Sequence, residues 1–181
     1  NGNNVVDGKI EFGSTSKEVP EDEYRNHYIN LDDTSVLLSI NGTIGNVARY
    51  NGEKIILGKS AAYMNCSDEL SPEYLMYYLQ SSQLLRYFGL EVTGTTIFNL
   101  SLNSIRQMKI CIPNGKEQME IVKYCKNQKK KYGRLIYKVS IAIELIQERR
   151  TALISAAVTG KIDVRNWQAP SKNQNNEKNV A

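Results

Sequence analysis

Residues 117–160 read EQMEIVKYCKNQKKKYGRLIYKVSIAIELIQERRTALISAAVTG, and a single register runs through them. Stepping alternately by four and three picks out Ile121, Cys125, Gln128, Tyr132, Leu135, Val139, Ala142, Ile146, Arg149, Leu153 and Ala156. Nine of those eleven are apolar or aromatic, which is the seam of a coiled coil sustained over five heptads. Asn114, three residues ahead of Glu117, resembles a capping box with Asn in place of Ser or Thr, and Gly160 stands where a helix stops. At ~1.5 Å per residue, roughly 44 residues make a rod of about 65 Å. A rod of that length outreaches any globule of ~115 residues. The seam therefore predicts a partner helix, from another chain or from another part of a longer protein. Gly133 costs about 1 kcal/mol relative to Ala inside a helix and marks a candidate bend.

Upstream, short segments alternate with turn signals. Val36-Leu37-Leu38-Ser39-Ile40 is rich in branched aliphatics and reads as a strand stopped by Asn41-Gly42, with Gly45 close behind. Val47 to Tyr50 reads as the return strand, ended by Asn51-Gly52, and Lys54 to Leu57 as a third, ended by Gly58. Ser71-Pro72-Glu73 supplies an N-cap, a first-turn proline and an early acid, so Tyr74 to Tyr87 is expected to be helical and to end at Gly89. Residues 93–99 form a polar loop with one aromatic, Phe98. Ser101 to Arg106 suits a short helical turn, Met108 to Ile112 a strand closed by Pro113, and Lys161 to Trp167 a brief strand. Strands and helices interleave without strict alternation, so the fold class expected is α+β. The expected layout is a globular domain over 1–113 lacking its N-terminal part, a long helix over 114–160, and over 161–181 a short strand and a disordered polar tail. Because position 1 is Asn rather than Met, the chain is expected to start inside a longer protein or after a cleaved tag.

With 41% hydrophobic and 23% charged residues, the composition fits neither a disordered nor a membrane-embedded chain, and no apolar run approaches the ~18 residues of a spanning helix. Cys66, Cys111 and Cys125 form no CxxC pair, and no leader precedes them, so a reducing cytoplasm is the expected compartment. The net charge of +4 is unevenly spread. Residues 1–115 hold nine Lys/Arg against thirteen Asp/Glu, whereas residues 116–150 hold ten against four. A DNA-reading first half must then work through a local patch. One histidine, His27, beside the acidic stretch Glu18 to Glu23 allows no triad and no His metal cluster; there is no paired-proline base-flipping motif and no phosphate loop. No turnover is expected of the chain itself, and no metal or cofactor.

These residues carry a resemblance. Glu148-Arg149-Arg150-Thr151-Ala152-Leu153-Ile154-Ser155-Ala156-Ala157-Val158-Thr159-Gly160-Lys161-Ile162-Asp163-Val164-Arg165 resembles the end of the long helix in DNA specificity subunits of type I restriction-modification systems. Ile110 to Ile121 is similar to the proline-rich strand exit of such proteins, followed by Glu-Gln and an isoleucine. They usually have two prolines there; this chain has Pro113 followed by Asn114-Gly115, a departure confined to the entry turn. Asn41-Gly42-Thr43-Ile44-Gly45-Asn46-Val47, Glu73-Tyr74-Leu75-Met76-Tyr77-Tyr78-Leu79, and Gly94-Thr95-Thr96 with Leu100-Ser101 follow the order of the recognition domain. The similarity runs over about residues 31–167; the C-terminal motif is specific, while the glycine turns are individually weak.

The resemblance implies an assembly in which two recognition domains each read half of a split DNA sequence while two spacer helices pack antiparallel. Methyltransferase subunits, which bind S-adenosylmethionine, dock on it, as does a motor-nuclease subunit in the restricting form. One domain and one helix correspond to half of this: a half-subunit that homodimerises, or the C-terminal half of a tandem chain. On this footing Ser39, Asn41, Thr43 and Arg49 are candidates for reading base edges. Lys59, Ser60, Tyr63, Thr93, Thr95, Thr96 and Asn99 are candidates for phosphate contacts that set register. In the turn, Asn41, Thr43 and Asn46 equally suit hairpin chemistry, and Lys129-Lys130-Lys131 equally suits a solvated face. Tyr74, Tyr77 and Tyr78 suit a core better than a stacking platform. The helix-pairing set is Ile121, Cys125, Tyr132, Leu135, Val139, Ala142, Ile146 and Leu153. The reading from another class is a coiled-coil interaction scaffold whose acidic first half binds a protein.

Overall fold

The computed structural model describes residues 1–13, 16–94 and 98–168. The chain divides into two compact units, Asn1–Gln128 and Lys129–Ala181. In the first, a 3-10 turn (Gly2–Asn4) leads into a hairpin of β1 (Val5–Val6) and β2 (Lys9–Ile10). Asp7 and Gly8 turn it with φ of 48° and 91°, the two positive values that a two-residue hairpin turn requires. A short helix, α1 (Glu21–Asn26), precedes a three-stranded antiparallel sheet of β3 (Ser35–Ser39), β4 (Val47–Arg49) and β5 (Ala61–Asn65), ordered β4-β3-β5.

Every residue of the central strand β3 is buried. Side chains alternate along a strand, so Val36 and Leu38, with Ile40 beyond them, face one layer. There they meet Leu75 and Leu79 of α2 (Pro72–Leu79), Leu84 and Phe88 of α3 (Ser82–Glu91), and Ile105 of α4 (Leu102–Gln107). Leu37 faces the other way and packs with Val5, Ala48, Ile55 and Leu57. A strand covered on both faces reads as a continuous apolar run rather than an alternating one, which is why Val36-Leu37-Leu38 stands out. Burying each of these side chains contributes about 1.5–3 kcal/mol.

The α+β architecture agrees with expectation, and several elements differ from it for identifiable reasons. Lys54–Leu57 is not a strand: β3 already has a neighbour on each edge, and Ile55 and Leu57 bury against Leu37 without joining the ladder. The third strand is instead β5, whose Ala-Ala start has little intrinsic strand preference and is held by register across β3, Leu38 opposite Ala62 and Val36 opposite Met64. The single helix expected over 74–87 is two. The Ser81 hydroxyl accepts the Leu84 N–H and starts α3 afresh, because serine offers the backbone a cap in place of another helical turn. Gly89 does not end α3, which runs to Glu91; glycine in a helix interior is costly but tolerable. Met108–Ile112 is unpaired: the Tyr74 hydroxyl donates to Cys111 O (2.8 Å), and Tyr78 Oη receives the Cys111 N–H (3.3 Å), so side chains do the work of a ladder. Tyr74 is buried in that role, a core tyrosine with its polar end satisfied.

The long helix, α5 (Gly115–Val158), is continuous through Gly133, with Asn114 Oδ1 accepting the Glu117 N–H at 3.0 Å. Nothing lies within 4 Å of a Cβ built on Gly133. Gly133→Ala is therefore expected to stabilise the helix by about 1 kcal/mol, read as a higher midpoint for loss of far-ultraviolet ellipticity on heating. In the second unit, Gly160 at φ +73° ends α5, its N–H donating to Ala157 O while Ile162 N–H reaches Ala156 O. Residues 161–167 then turn rather than pair, with Asp163 holding Arg165 and the Trp167 N–H donating to Val164 O. The tail expected to be disordered lies, from residue 169 on, outside the described residues.

Candidate nucleic-acid interface

The antiparallel sheet sorts the connecting segments to two ends. At the Ser39 end, Ile40 N–H donates to Ser60 O (2.9 Å), Leu100 N–H donates to Ile40 O (2.8 Å) and Gly42 N–H donates to Phe98 O (3.0 Å). Asn99 bridges to both Asn41 and Thr93, with Asn99 N–H to Thr93 O at 2.9 Å and Thr93 N–H to Asn99 O at 3.1 Å. Segments 39–46, 58–61, 92–94 and 98–101 are therefore tied by backbone hydrogen bonds into one platform. In sequence they contain no acidic residue and one cation, Lys59.

The other end of the sheet is acidic. Asp32 and Asp33 lead into β3, and Asp68 and Glu69 follow β5. The Asp32 carboxylate accepts the Thr34 hydroxyl (2.6 Å) and the Thr34 N–H (2.9 Å), and these bonds hold its pKa below the usual carboxylate value. Asp32, Asp33, Asp68 and Glu69 thus lie away from the Ser39 platform, while Glu91, at the end of α3, directly precedes its 92–94 segment.

Of the candidate contacts, Asn41, Thr43, Lys59, Ser60, Thr93 and Asn99 come together on this platform; Thr43, Lys59, Thr93 and Asn99 are exposed and Asn41 and Ser60 half-buried. Thr95 and Thr96 lie outside the described residues. Positive φ in the turn is taken up by Gly42 (74°) and Gly45 (92°), and not by Asn41 or Asn46, whose side chains are thereby not needed for the turn's backbone geometry. Two members of the base-reading set do not join this exposed group. Ser39 is fully buried, its hydroxyl accepting the Asn46 N–H at 3.0 Å, so it shapes the loop from beneath. Arg49 sits opposite Val36 toward the acidic end, its guanidinium 3.6 Å from Glu73 and donating to Asp33 O at 3.3 Å. Tyr63 stands exposed on β5 opposite Leu37, two residues in from the platform. Ser60 is also engaged: its hydroxyl accepts the Gly2 N–H at 2.7 Å, and a Cβ on Gly2 would come within 2.7 Å of Ser60 O. Gly2, with no side chain, is what lets the N-terminal turn close over this edge, a contact with no periodic signal in sequence.

The three cysteines are unpaired. Burial, with Asp32 nearby, pushes the Cys66 thiol pKa up, which makes it a poor nucleophile. No helix of the described residues is long and apolar enough to cross a membrane.

Within the second unit the heptad seam is exposed among the described residues. Tyr132, Leu135, Val139, Ile146 and Leu153 are exposed, Leu135 at 47% and Ile146 at 66%. Ala142 is exposed as well, while Ile121 and Cys125, in the first unit, are half-buried. Tyr137, Ile141 and Leu145, spaced by four, form a further exposed apolar row. At ~100° per residue, Tyr137 stands roughly 160° around the helix from both Leu135 and Val139 and faces away from the seam, while the row drifts about 40° per step, so that Leu145 comes to roughly 60° from Ala142 and flanks it.

A family model described as the type I restriction modification DNA specificity domain matches residues 4–144. Among solved structures, the chain is similar in fold to one determined in work on complex assembly and conformational transition of the type I R-M system, with 21% identity and a TM-score of 0.58 over 70% of this chain and 31% of that one. It is also similar to the S subunit of a type I restriction-modification system from M. genitalium, at 25% identity and a TM-score of 0.48 over 70% of this chain and 34% of that one. The chain spans about a third of the length of these solved chains. No curated protein sequence matches it.

Proposed function

The chain belongs to the type I restriction modification DNA specificity domain family, and from that premise we propose that it reads one half of a bipartite DNA site through the Ser39-end platform while its long helix sets the distance to a second reader. The observation that carries this is the convergence of Asn41, Thr43, Thr93 and Asn99 with Lys59 on a backbone-pinned surface whose own segments hold no acidic residue. Amides and hydroxyls held by the backbone are what base edges and phosphates require, and the lysine adds counterion release. The apolar seam then takes a second specificity half, or a copy of this chain. Tyr137 and Ile141, off the seam, give methyltransferase subunits a separate face, so that both can pack on the helix at once. S-adenosylmethionine belongs to those partners, as translocation and cleavage belong to the motor-nuclease subunit. The chain itself has no turnover and works in the cytoplasm.

Selection from a randomised duplex pool by the chain co-purified with methyltransferase subunits tests the reading. A defined half-site is expected, bound on the order of 1,000-fold more tightly than random DNA at near-physiological salt. Recovery of unselected sequence at every salt concentration would sink it in favour of the protein-binding scaffold.

A further inference from the structure

We infer that Phe98 is an apolar base-reading residue of the platform, one that no polar contact list would include; this rests on the DNA-reading function proposed above. The chain has three phenylalanines. Phe88 is buried in the helix-side core; Phe12, 64% exposed, lines the hollow beneath the N-terminal hairpin on the Leu37 face, away from the platform. Phe98 belongs to neither core cluster and is 53% exposed, on the platform itself. Its main chain is held from its carbonyl onward: Phe98 O accepts the Gly42 N–H, and the next residue, Asn99, is bridged to Asn41 and Thr93. Leu100, two residues on, is completely buried and anchors the segment.

A large aromatic residue that leaves about half of its surface in water recovers only part of its burial energy where it stands, so the rest of its apolar area is available to a ligand. Its neighbours on the surface, Asn41, Thr43, Thr93 and Asn99, supply donors and acceptors but no apolar contact. An apolar contact is what separates thymine, with its 5-methyl group, from cytosine, and a ring on a fixed stem is also able to rest against the face of a base displaced from its stack. Both partners present the same chemistry, an apolar base surface at a fixed position in the half-site. Because the ring bears no charge, it contributes to specific binding and nothing to the salt-dependent, non-specific component.

The test compares wild type, Phe98→Ala and Phe98→Leu, each co-purified with methyltransferase subunits, on the selected half-site and on random DNA. Phe98→Ala is expected to weaken binding to the selected site about 10- to 100-fold with random-DNA affinity and salt slope unchanged, and Phe98→Leu to retain part of the loss. The unfolding midpoint should not move, since the ring is not core. Replacing single thymines by uracil, or adenines by 2-aminopurine, then locates the contact: a methyl contact shows as a uracil penalty absent in Phe98→Ala, and a displaced base as a fluorescence rise absent in Phe98→Ala. Equal binding of wild type and Phe98→Ala to the selected site, or an equal loss on selected and random DNA, overturns the inference while leaving the platform's polar reading intact. Failure of wild type to select any site overturns the DNA-reading function instead.

Discussion

Gln118→Leu is expected to lower the stability of the first unit by about 3 kcal/mol, shifting the thermal midpoint down by roughly 10 °C. The side chain is only 1% exposed, at the root of α5. Its Oε1 accepts the Ser71 N–H at 2.8 Å, and its Nε2 donates to Glu69 O at 2.7 Å and Pro113 O at 2.8 Å. Leucine matches the shape but leaves those three backbone groups without partners, at roughly 1–3 kcal/mol each before solvent relaxes in. The same joint is crossed by charges, with Lys126 Nζ at 2.7 Å and Arg49 Nη1 at 3.6 Å from the Glu73 carboxylate. Those side chains are 36% to 53% exposed, so Glu73→Gln should cost about 1 kcal/mol or less. The amide, and not the ion pairs, holds the helix root to the loop before α2. Urea titration read by tyrosine fluorescence and by ellipticity checks both, and a Gln118→Leu midpoint equal to wild type contradicts the assignment.

The second large effect lies on the seam. The double variant Leu135→Asp, Ile146→Asp is expected to be monomeric over the concentration range in which wild type associates. Each aspartate removes about 2–3 kcal/mol of apolar burial and places an unpaired carboxylate in the interface. Both positions are exposed within the chain, so the unfolding midpoint of the first unit should be unchanged. Sedimentation equilibrium separates the outcomes: a shift from associated to monomeric mass supports seam pairing, and identical masses for wild type and variant refute it. Tyr137→Asp, off the seam, serves as the control, expected to leave self-association intact while weakening capture of methyltransferase subunits.

The elements readable from the chain are those whose signal is local or periodic. The alternating four-and-three spacing from Ile121 to Ala156 sets α5 because a helix repeats the same geometry at every turn, and Asn114 and Gly160 close its two ends by cap chemistry that needs only neighbours. Val36-Leu37-Leu38 announces a strand buried on both faces for a similar reason. The Asp7-Gly8 hairpin has a local signal too, a two-residue positive-φ turn between Val5-Val6 and Lys9-Ile10. Ser81 as a second N-cap inside the 74–87 stretch was also open to view.

What no local pattern contains is which segment joins β3 and which end of the sheet a loop occupies. Ala61–Asn65 pairs with β3 while the more strand-like Lys54–Leu57 does not, because a strand's place depends on the two edges of its neighbour, and those edges are filled by residues far apart in sequence. The same applies to the candidate contacts. Asn41 and Asn99 are 58 positions apart and meet through a bridge, whereas Ser39 and Arg49, close to Asn41 in sequence, are turned inward or carried to the acidic end. Composition and spacing limit which side chains are candidates; the strand pairing, by fixing which ends of the sheet lie together, decides which of them share one surface.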